Sequence, residues 1–166
     1  ALAVGLPRSQ DPFPQGQTPG TSIDIYVGSQ AFFAALPPAG STTAAPLVGA
    51  ITRVEYTCGA SLGASRLDRR EQIALDNVAG HAIYGVCGMA VGEIIASHPF
   101  AELVVGTLDG HLLVYGLGGD GSIAGLLYAT QVEGAVGVYN SIVFADLVGA
   151  GGVGPPDGVN ELYVAG

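Results

Sequence analysis

The sequence contains one motif with catalytic spacing, Gly59-Ala60-Ser61-Leu62-Gly63, which matches the G-x-S-x-G elbow of serine hydrolases. In such an enzyme Ser61 would be the nucleophile, assisted by a histidine base and an acid that orients it. The candidates for those two roles are His98 or His111 as the base and Asp76 or Glu93 as the acid. Glycine supplies 27 of the 166 residues, so the motif also arises by chance. The alternation of strands and helices that a hydrolase sheet requires is missing around it. We therefore predict that the chain is not an enzyme and keep a Ser61 hydrolase as the alternative.

The three histidines, His81, His98 and His111, are too far apart in sequence for a helical metal-binding pair. We interpret them as loop or turn residues. The two cysteines, Cys58 and Cys87, also lack the close spacing of a zinc site. They are either two buried thiols or one disulfide in an exporting compartment. No metal and no cofactor is predicted.

The only dense cluster of charges lies in one short segment and consists of Arg66, Asp68, Arg69, Arg70 and Glu71. One interpretation is a solvated face with local ion pairs. The other is a docking patch, in which arginine side chains bind carboxylates of a partner chain. Residues 64–75 contain good helix formers and predict either a short helix or a charged surface loop.

Charge and hydropathy exclude two classes of partner. The net charge is −9, lysine is absent, and four of the five arginines lie between Arg53 and Arg70. Nucleic-acid binding needs a basic face, so we predict none. Mean hydropathy is high, at +0.47. However, Pro37, Pro38 and Pro46 interrupt the longest uncharged stretch, so we predict no membrane span. Because the chain opens without Met or a signal peptide, we expect a mature product or an internal fragment.

Short runs of β-branched and aromatic residues alternate with glycine-rich punctuation, which is typical of antiparallel strands. The runs are 2–4, 22–27, 51–56, 103–105, 112–115, 142–144 and 162–164. Asp109-Gly110 and residues 118–122 predict tight hairpin turns. Residues 8–21 and 149–158 are loops by composition. This pattern predicts an all-β fold.

The strands also repeat. Residues 102–106 match 161–165 at an offset of 59, and residues 90–94 match 143–147 at an offset of 53. Leu2-Ala3-Val4-Gly5 matches Leu103-Val104-Val105-Gly106 at an offset of 101, and residues 22–27 match 112–115. The first unit would then carry long insertions at about 8–21 and 57–80.

Three segments resemble FG-GAP repeats, the blade unit of integrin-α-like β-propellers: residues 1–9 with 20–27, residues 84–94 with 102–110, and residues 140–147 with 160–166. The family's calcium loop is rich in aspartate, whereas the equivalent stretches here keep only Asp146 or Glu93. We therefore expect no bound calcium.

The resemblance implies that residues 1–166 form part of one β-propeller domain built from four-stranded blades. Four tyrosines at blade-strand positions are expected in the core: Tyr26, Tyr115, Tyr139 and Tyr163. An incomplete ring leaves open sheet edges, which we expect other chains, or further parts of the same polypeptide, to complete. The predicted function is a structural or adhesion module of an exported multi-chain assembly, found outside the cell or in the periplasm. A carbohydrate-binding propeller is a further alternative.

Overall fold

A computed structural model describes residues 1–5, 22–33, 47–57, 65–75, 78, 80, 83, 85–95, 97–131, 141–145 and 160–165. Ten strands occupy most of these residues: β1 (Leu2–Val4), β2 (Ser22–Phe33), β3 (Leu47–Thr57), β4 (Arg66–Ala74), β5 (Val86–Gly92), β6 (Glu102–Thr107), β7 (His111–Leu117), β8 (Ile123–Gln131), β9 (Ser141–Ala145) and β10 (Glu161–Ala165). The prediction of an all-β fold is confirmed, and the described residues contain no helix.

The strands form three antiparallel sheets. Sheet 1 has the order β1-β2-β3-β4, sheet 2 has the order β5-β6-β7-β8, and sheet 3 pairs β9 with β10. Within each sheet, strands that follow one another in the chain pair with one another, as in a meander. Across the described residues each sheet remains open, and none closes into a barrel.

The sheets stack face to face, with sheet 2 in the middle. One face of sheet 2, with Leu103, Val105 and Leu113, packs with Tyr26 and Ile51 of sheet 1 in a single hydrophobic cluster. The opposite face carries two buried valines, Val104 and Val114. These pack in a second cluster with four residues of sheet 3: Ile142, Phe144, Leu162 and Val164. Because both faces of sheet 2 are covered, its two central strands are mostly or wholly buried.

The first strands of successive sheets lie in contact, β1 with β5 and β5 with β9. Strand β5 also contacts β2, and glycines allow the close approach of β5 to both β2 and β9. A Cβ added to Gly28 of β2 would lie 2.3 Å from Val86 Cγ1 in β5. One added to Gly92 of β5 would lie 2.6 Å from Phe144 Cγ in β9. Neither position has room for a larger residue without a shift of the neighbouring sheet.

The repeat predicted between residues 90–106 and 143–165 is supported by the pairing register. Gly92 pairs with Glu102 in sheet 2, and Ala145 pairs with Glu161 in sheet 3. These pairs are related by the offsets of 53 and 59 residues seen in the sequence. The two hairpins therefore repeat strand for strand. The proposed match of residues 2–5 to 103–106 differs from the sheet order, because β1 is a first strand and β6 a second.

The two predicted hairpin turns are confirmed: Asp109-Gly110 joins β6 to β7, and residues 118–122 join β7 to β8. Gly110 and Gly121 have φ values of 81° and 75°, which L side chains rarely adopt.

The helix or charged loop expected at 64–75 is wrong, because residues 66–74 form β4. This strand pairs along β3 from Arg66 opposite Thr57 to Ala74 opposite Ala50. β4 pairs with no other described strand. Charged side chains are common on such edge strands, because they disfavour pairing with further chains. The segment 57–80, expected as an insertion, therefore contributes the fourth strand of sheet 1.

Candidate interaction surfaces

A buried ion pair joins two strands of sheet 1 and reaches the turn of the neighbouring sheet. Asp24 and Arg53 are both buried, and Arg53 Nε donates a hydrogen bond of 2.8 Å to Asp24 Oδ1. The same guanidinium donates through a terminal nitrogen to the backbone carbonyl of Asp120. Asp120 lies in the β7–β8 turn, so this pair couples sheet 1 to sheet 2.

Two more side chains of sheet 1 bind the same region of sheet 2. The Tyr26 hydroxyl donates a hydrogen bond of 2.7 Å to the carbonyl of Gly121. Glu71 Oε2 accepts one of 3.0 Å from the amide of Ile123. Within the turn, hydrogen bonds from the Ser122 side chain and backbone lower the pKa of Asp120. These polar contacts hold sheet 1 against the β7–β8 end of sheet 2.

A second buried acid lies at the loop between β5 and β6. Glu102 is fully buried, and its Oε2 accepts hydrogen bonds from the amides of Ile94 at 2.8 Å and Ile95 at 3.3 Å. Its Oε1 lies 3.1 Å from His98 Nδ1. That nitrogen lies only 2.6 Å from the Phe100 carbonyl, so it must be the protonated ring nitrogen, and its contact with Glu102 is electrostatic. Glu102 therefore organises the loop.

The residues proposed for a hydrolase do not come together among the described residues. Ser61 and Asp76 lie outside them, as does the third histidine, His81, which was not among the candidates. His98 Nδ1 lies 3.1 Å from Glu102 Oε1, and His111 Nδ1 lies 3.2 Å from Asp109 Oδ2, so the acid beside each of these two histidines is a different residue from the candidate Glu93. Within the described part of the chain, no group of three or more His, Cys, Asp or Glu side chains is arranged to hold a metal ion. Asp146, the acid of the last calcium-loop equivalent, lies outside that part.

Cys87 is half-buried, and its Sγ lies 3.3 Å from the carbonyl of Gly106. Cys58 lies outside the described residues, so the disulfide stays a prediction. Cys87 borders an open groove of about 280 Å³ where the first strands of the three sheets meet. The groove is lined by Ala1, Leu2, Cys87, Gly88, Met89, Ile142 and Val143.

The predicted docking patch lies on β4, and much of it is paired within the chain. Arg66 Nε lies 2.8 Å from Asp68 Oδ2. Arg70 lies 2.5 Å from Glu55 and also contacts Asp68. Arg69 donates to Gln72 Oε1 at 3.1 Å, and Glu71 binds sheet 2 as described above. The three arginines remain exposed, and their binding to a partner stays a prediction.

Both ends of the stack present apolar faces. Strand alternation places Ala3 and Tyr26 toward sheet 2, and their neighbours on the opposite side. We call this opposite side the outer face of sheet 1; it carries Leu2, Val4, Ile23, Ile25, Val27 and Val54. The outer face of sheet 3 carries Val143, Ala145, Glu161, Tyr163 and Ala165, on the side opposite Ile142 and Phe144. Leu2, Val4, Val143 and Tyr163 are exposed. The alternation of apolar residues along each strand is the sequence signal that indicates these faces.

Comparison with known proteins gives no relative: no family model matches the chain, and no curated protein or solved structure matches it. Among the described residues, no helix is long and apolar enough to cross a membrane.

Proposed function

We propose that this chain is a non-enzymatic structural and interaction module, built as a segment of a β-propeller with FG-GAP-like blades. The observation that carries the proposal is the repeated hairpin. β5–β6 and β9–β10 pair in the same register, and their sheets stack face to face with their first strands in contact. Successive propeller blades are antiparallel sheets that stack in this way around an axis.

The open ends of the stack support a role in protein contacts. A soluble protein seldom exposes extended apolar surface unless that surface binds something. Here the outer faces of sheets 1 and 3 are largely apolar, β8 at the edge of sheet 2 exposes Leu126 and Leu127, and charged residues make up only 11% of the chain. The proposed setting is an exported assembly of several chains, in which other sheets cover these faces.

Labelling with a fluorophosphonate probe tests the non-enzymatic part of this proposal. The full chain and a Ser61→Ala variant are incubated with the probe, and the intact mass of each is measured. We expect no adduct on either chain, since a structural module needs no activated serine. Stoichiometric labelling that is lost in Ser61→Ala would overturn the proposal and establish the hydrolase alternative.

The propeller part is tested separately by an experimental structure of the native material together with any co-purifying chains. We expect sheets 1 to 3 to lie side by side around a common axis, continued by further antiparallel sheets. A closed sandwich with no axial arrangement of β1, β5 and β9 would contradict this part of the proposal, whatever the probe labels.

A further inference from the structure

The outer face of sheet 3 repeats a face that is covered in sheet 2. By the shared register, Tyr163 occupies the position of Val104, and Val143 that of Ala90. Val104 is completely buried, because sheet 3 packs against it. Tyr163 is 39% exposed and Val143 is 55% exposed. Equivalent apolar positions of the repeat are therefore buried in sheet 2 and exposed in sheet 3. In sheet 2 the element that covers them is another antiparallel sheet.

The outer face of sheet 1 is suited to the same kind of contact. Its strands β1, β2 and β3 pair in regular register, β1 with β2 throughout and β2 with β3 from Ser22 to Ser29, so side chains alternate cleanly between its two faces there. The corresponding face of sheet 2 carries Leu103, Val105 and Leu113, all fully buried against sheet 1. The outer face of sheet 1 carries aliphatic residues in the same alternating pattern, and no described sheet covers it.

The two open faces also carry charges of opposite sign. Arg69 pairs opposite Val54, which places it on the outer face of sheet 1. Glu161 lies on the outer face of sheet 3, two residues from Tyr163. A contact between the two faces would therefore bring a cation and an acid to apolar surfaces of the same kind. Opposite charges on the two faces favour contact between unlike faces over contact between two copies of the same face.

We propose that a second copy of this chain covers these faces, with the outer face of sheet 3 of one copy stacked on the outer face of sheet 1 of the next. The contact continues, between chains, the stacking of sheet 3 on sheet 2 within one chain. This inference rests on the proposed interaction function and names its partner. Because the two surfaces differ, the association is head to tail, and it extends to a ring or to longer assemblies.

Two matched variants test the proposal. Val4 and Val143 are both valines with the same exposed fraction, 55%, and they lie on the outer faces of sheets 1 and 3. In sedimentation velocity we expect the full wild-type chain to show assemblies that grow with concentration. Either Val4→Lys or Val143→Lys alone should weaken this association by about tenfold or more, because a lysine would be desolvated in an apolar contact.

Mixing the two variants gives the discriminating result. Val4→Lys keeps an intact outer face on sheet 3, and Val143→Lys keeps one on sheet 1. An equimolar mixture should therefore form a 1:1 heterodimer that grows no further. Leu127→Lys, at a 45% exposed position on β8 and away from both faces, is the control and should assemble as the wild type does. If Val4→Lys does not fold, as judged by urea unfolding, Val27→Lys replaces it on the same face.

A wild-type chain that stays monomeric at all concentrations would overturn the proposal, and so would a mixture that forms no heterodimer. A dimer that either face variant leaves unchanged would point to a different surface and would also overturn it. None of these outcomes depends on labelling at Ser61. Failure of head-to-tail stacking is therefore distinguishable from failure of the proposed non-enzymatic function.

Discussion

Both carboxylate oxygens of Glu102 face nitrogen donors, which a glutamine side chain, with a single acceptor oxygen, cannot match. Its Oε2 receives the backbone amides of both Ile94 and Ile95, inside a fully buried site. In Glu102→Gln the charge is lost, and the new NH₂ group must lie where only acceptors are useful. We expect the free energy of unfolding to fall by about 2 kcal/mol, since hydrogen bonds to buried charged groups are worth about 1.5–3 kcal/mol.

Urea unfolding measures this loss. Glu93→Gln is the control, because Glu93 is an exposed acid in the same β5–β6 loop, and it should change the unfolding free energy by less than about 0.5 kcal/mol. Equal losses in the two variants would show that Glu102 does not organise the β5–β6 loop.

Because Tyr115 is buried, we expect the free energy of unfolding to fall at alkaline pH. Burial raises the pKa of its phenol from 10.0 to about 12. The folded state therefore holds the phenolic proton more tightly than the unfolded chain does. The resulting stabilisation is fully present below pH 10 and is lost as the pH rises from about 10 to about 12, by about 2–3 kcal/mol. Unfolding free energies measured across that range should decline more steeply for the wild type than for Tyr115→Phe. Parallel profiles would contradict the assignment to Tyr115.

At the scale of elements, glycine sets how closely β5 approaches β9. A Cβ at position 92 would lie 2.6 Å from the Phe144 ring, whereas one at position 125 of β8 would have no atom within 4 Å. Gly92→Ala should therefore cost about 1–3 kcal/mol, because the ring and its sheet must shift. Gly125→Ala, the control, should stay within about 0.5 kcal/mol. Thermal and urea unfolding provide the comparison, and similar values for both variants would refute close stacking at Gly92.

The Asp24–Arg53 pair couples sheets 1 and 2 through the β7–β8 turn. Arg53→Met would remove the guanidinium and leave the Asp24 carboxylate buried without that partner. We expect a loss of about 3–5 kcal/mol, as when one member of a buried ion pair is removed. Arg66→Ala serves as the control, because Arg66 is largely exposed and its ion pair with Asp68 should contribute less than about 1 kcal/mol. If Arg53→Met cost no more than Arg66→Ala, the coupling would be refuted.

The elements differ in how far their sequences predict them. Seven of the ten strands and both hairpin turns follow from local alternation and from Asp109-Gly110 and residues 118–122, whereas β4, β5 and β8 do not. β4 could not be predicted in this way. Its side chains favour a helix locally, and only pairing with β3 makes it a strand. β8 was also missed, since Ile123–Gln131 gives no strict alternation and its pairing contains register shifts.

The candidate surfaces show the same division. The apolar outer faces follow from alternation within each strand, and Tyr26 and Tyr115 are buried as predicted, whereas Tyr163 is exposed. Tyr139 lies outside the described residues. Arg53 contacts the β7–β8 turn and Glu71 contacts the first residue of β8, and each contact joins residues more than 50 positions apart. No local pattern indicates such contacts, because they depend on how the sheets stack.

For the molecule as a whole, the three sheets are not equally secured. Sheet 2 is covered on both faces, and polar contacts join it to sheet 1. Sheet 3 has two described strands and packs on sheet 2 through the apolar cluster around Val104 and Phe144, and Asn160 donates to the Glu93 carbonyl. An isolated pair of strands is marginal in water, so the stability of sheet 3 depends on the surfaces that cover it.

Hydrogen exchange should therefore separate sheet 3 from sheet 2. In a dilute solution of the full chain, amides of β9 and β10 should exchange at least about tenfold faster than those of β6, because sheet 3 can open without unfolding the stack. Raising the concentration should slow exchange in β9 and β10 of the wild type, as a second copy covers their outer face, but not in Val143→Lys. Equal protection of β6 and β9 at low concentration would mean that the three sheets open as one cooperative unit, and the unequal attachment of sheet 3 would be refuted.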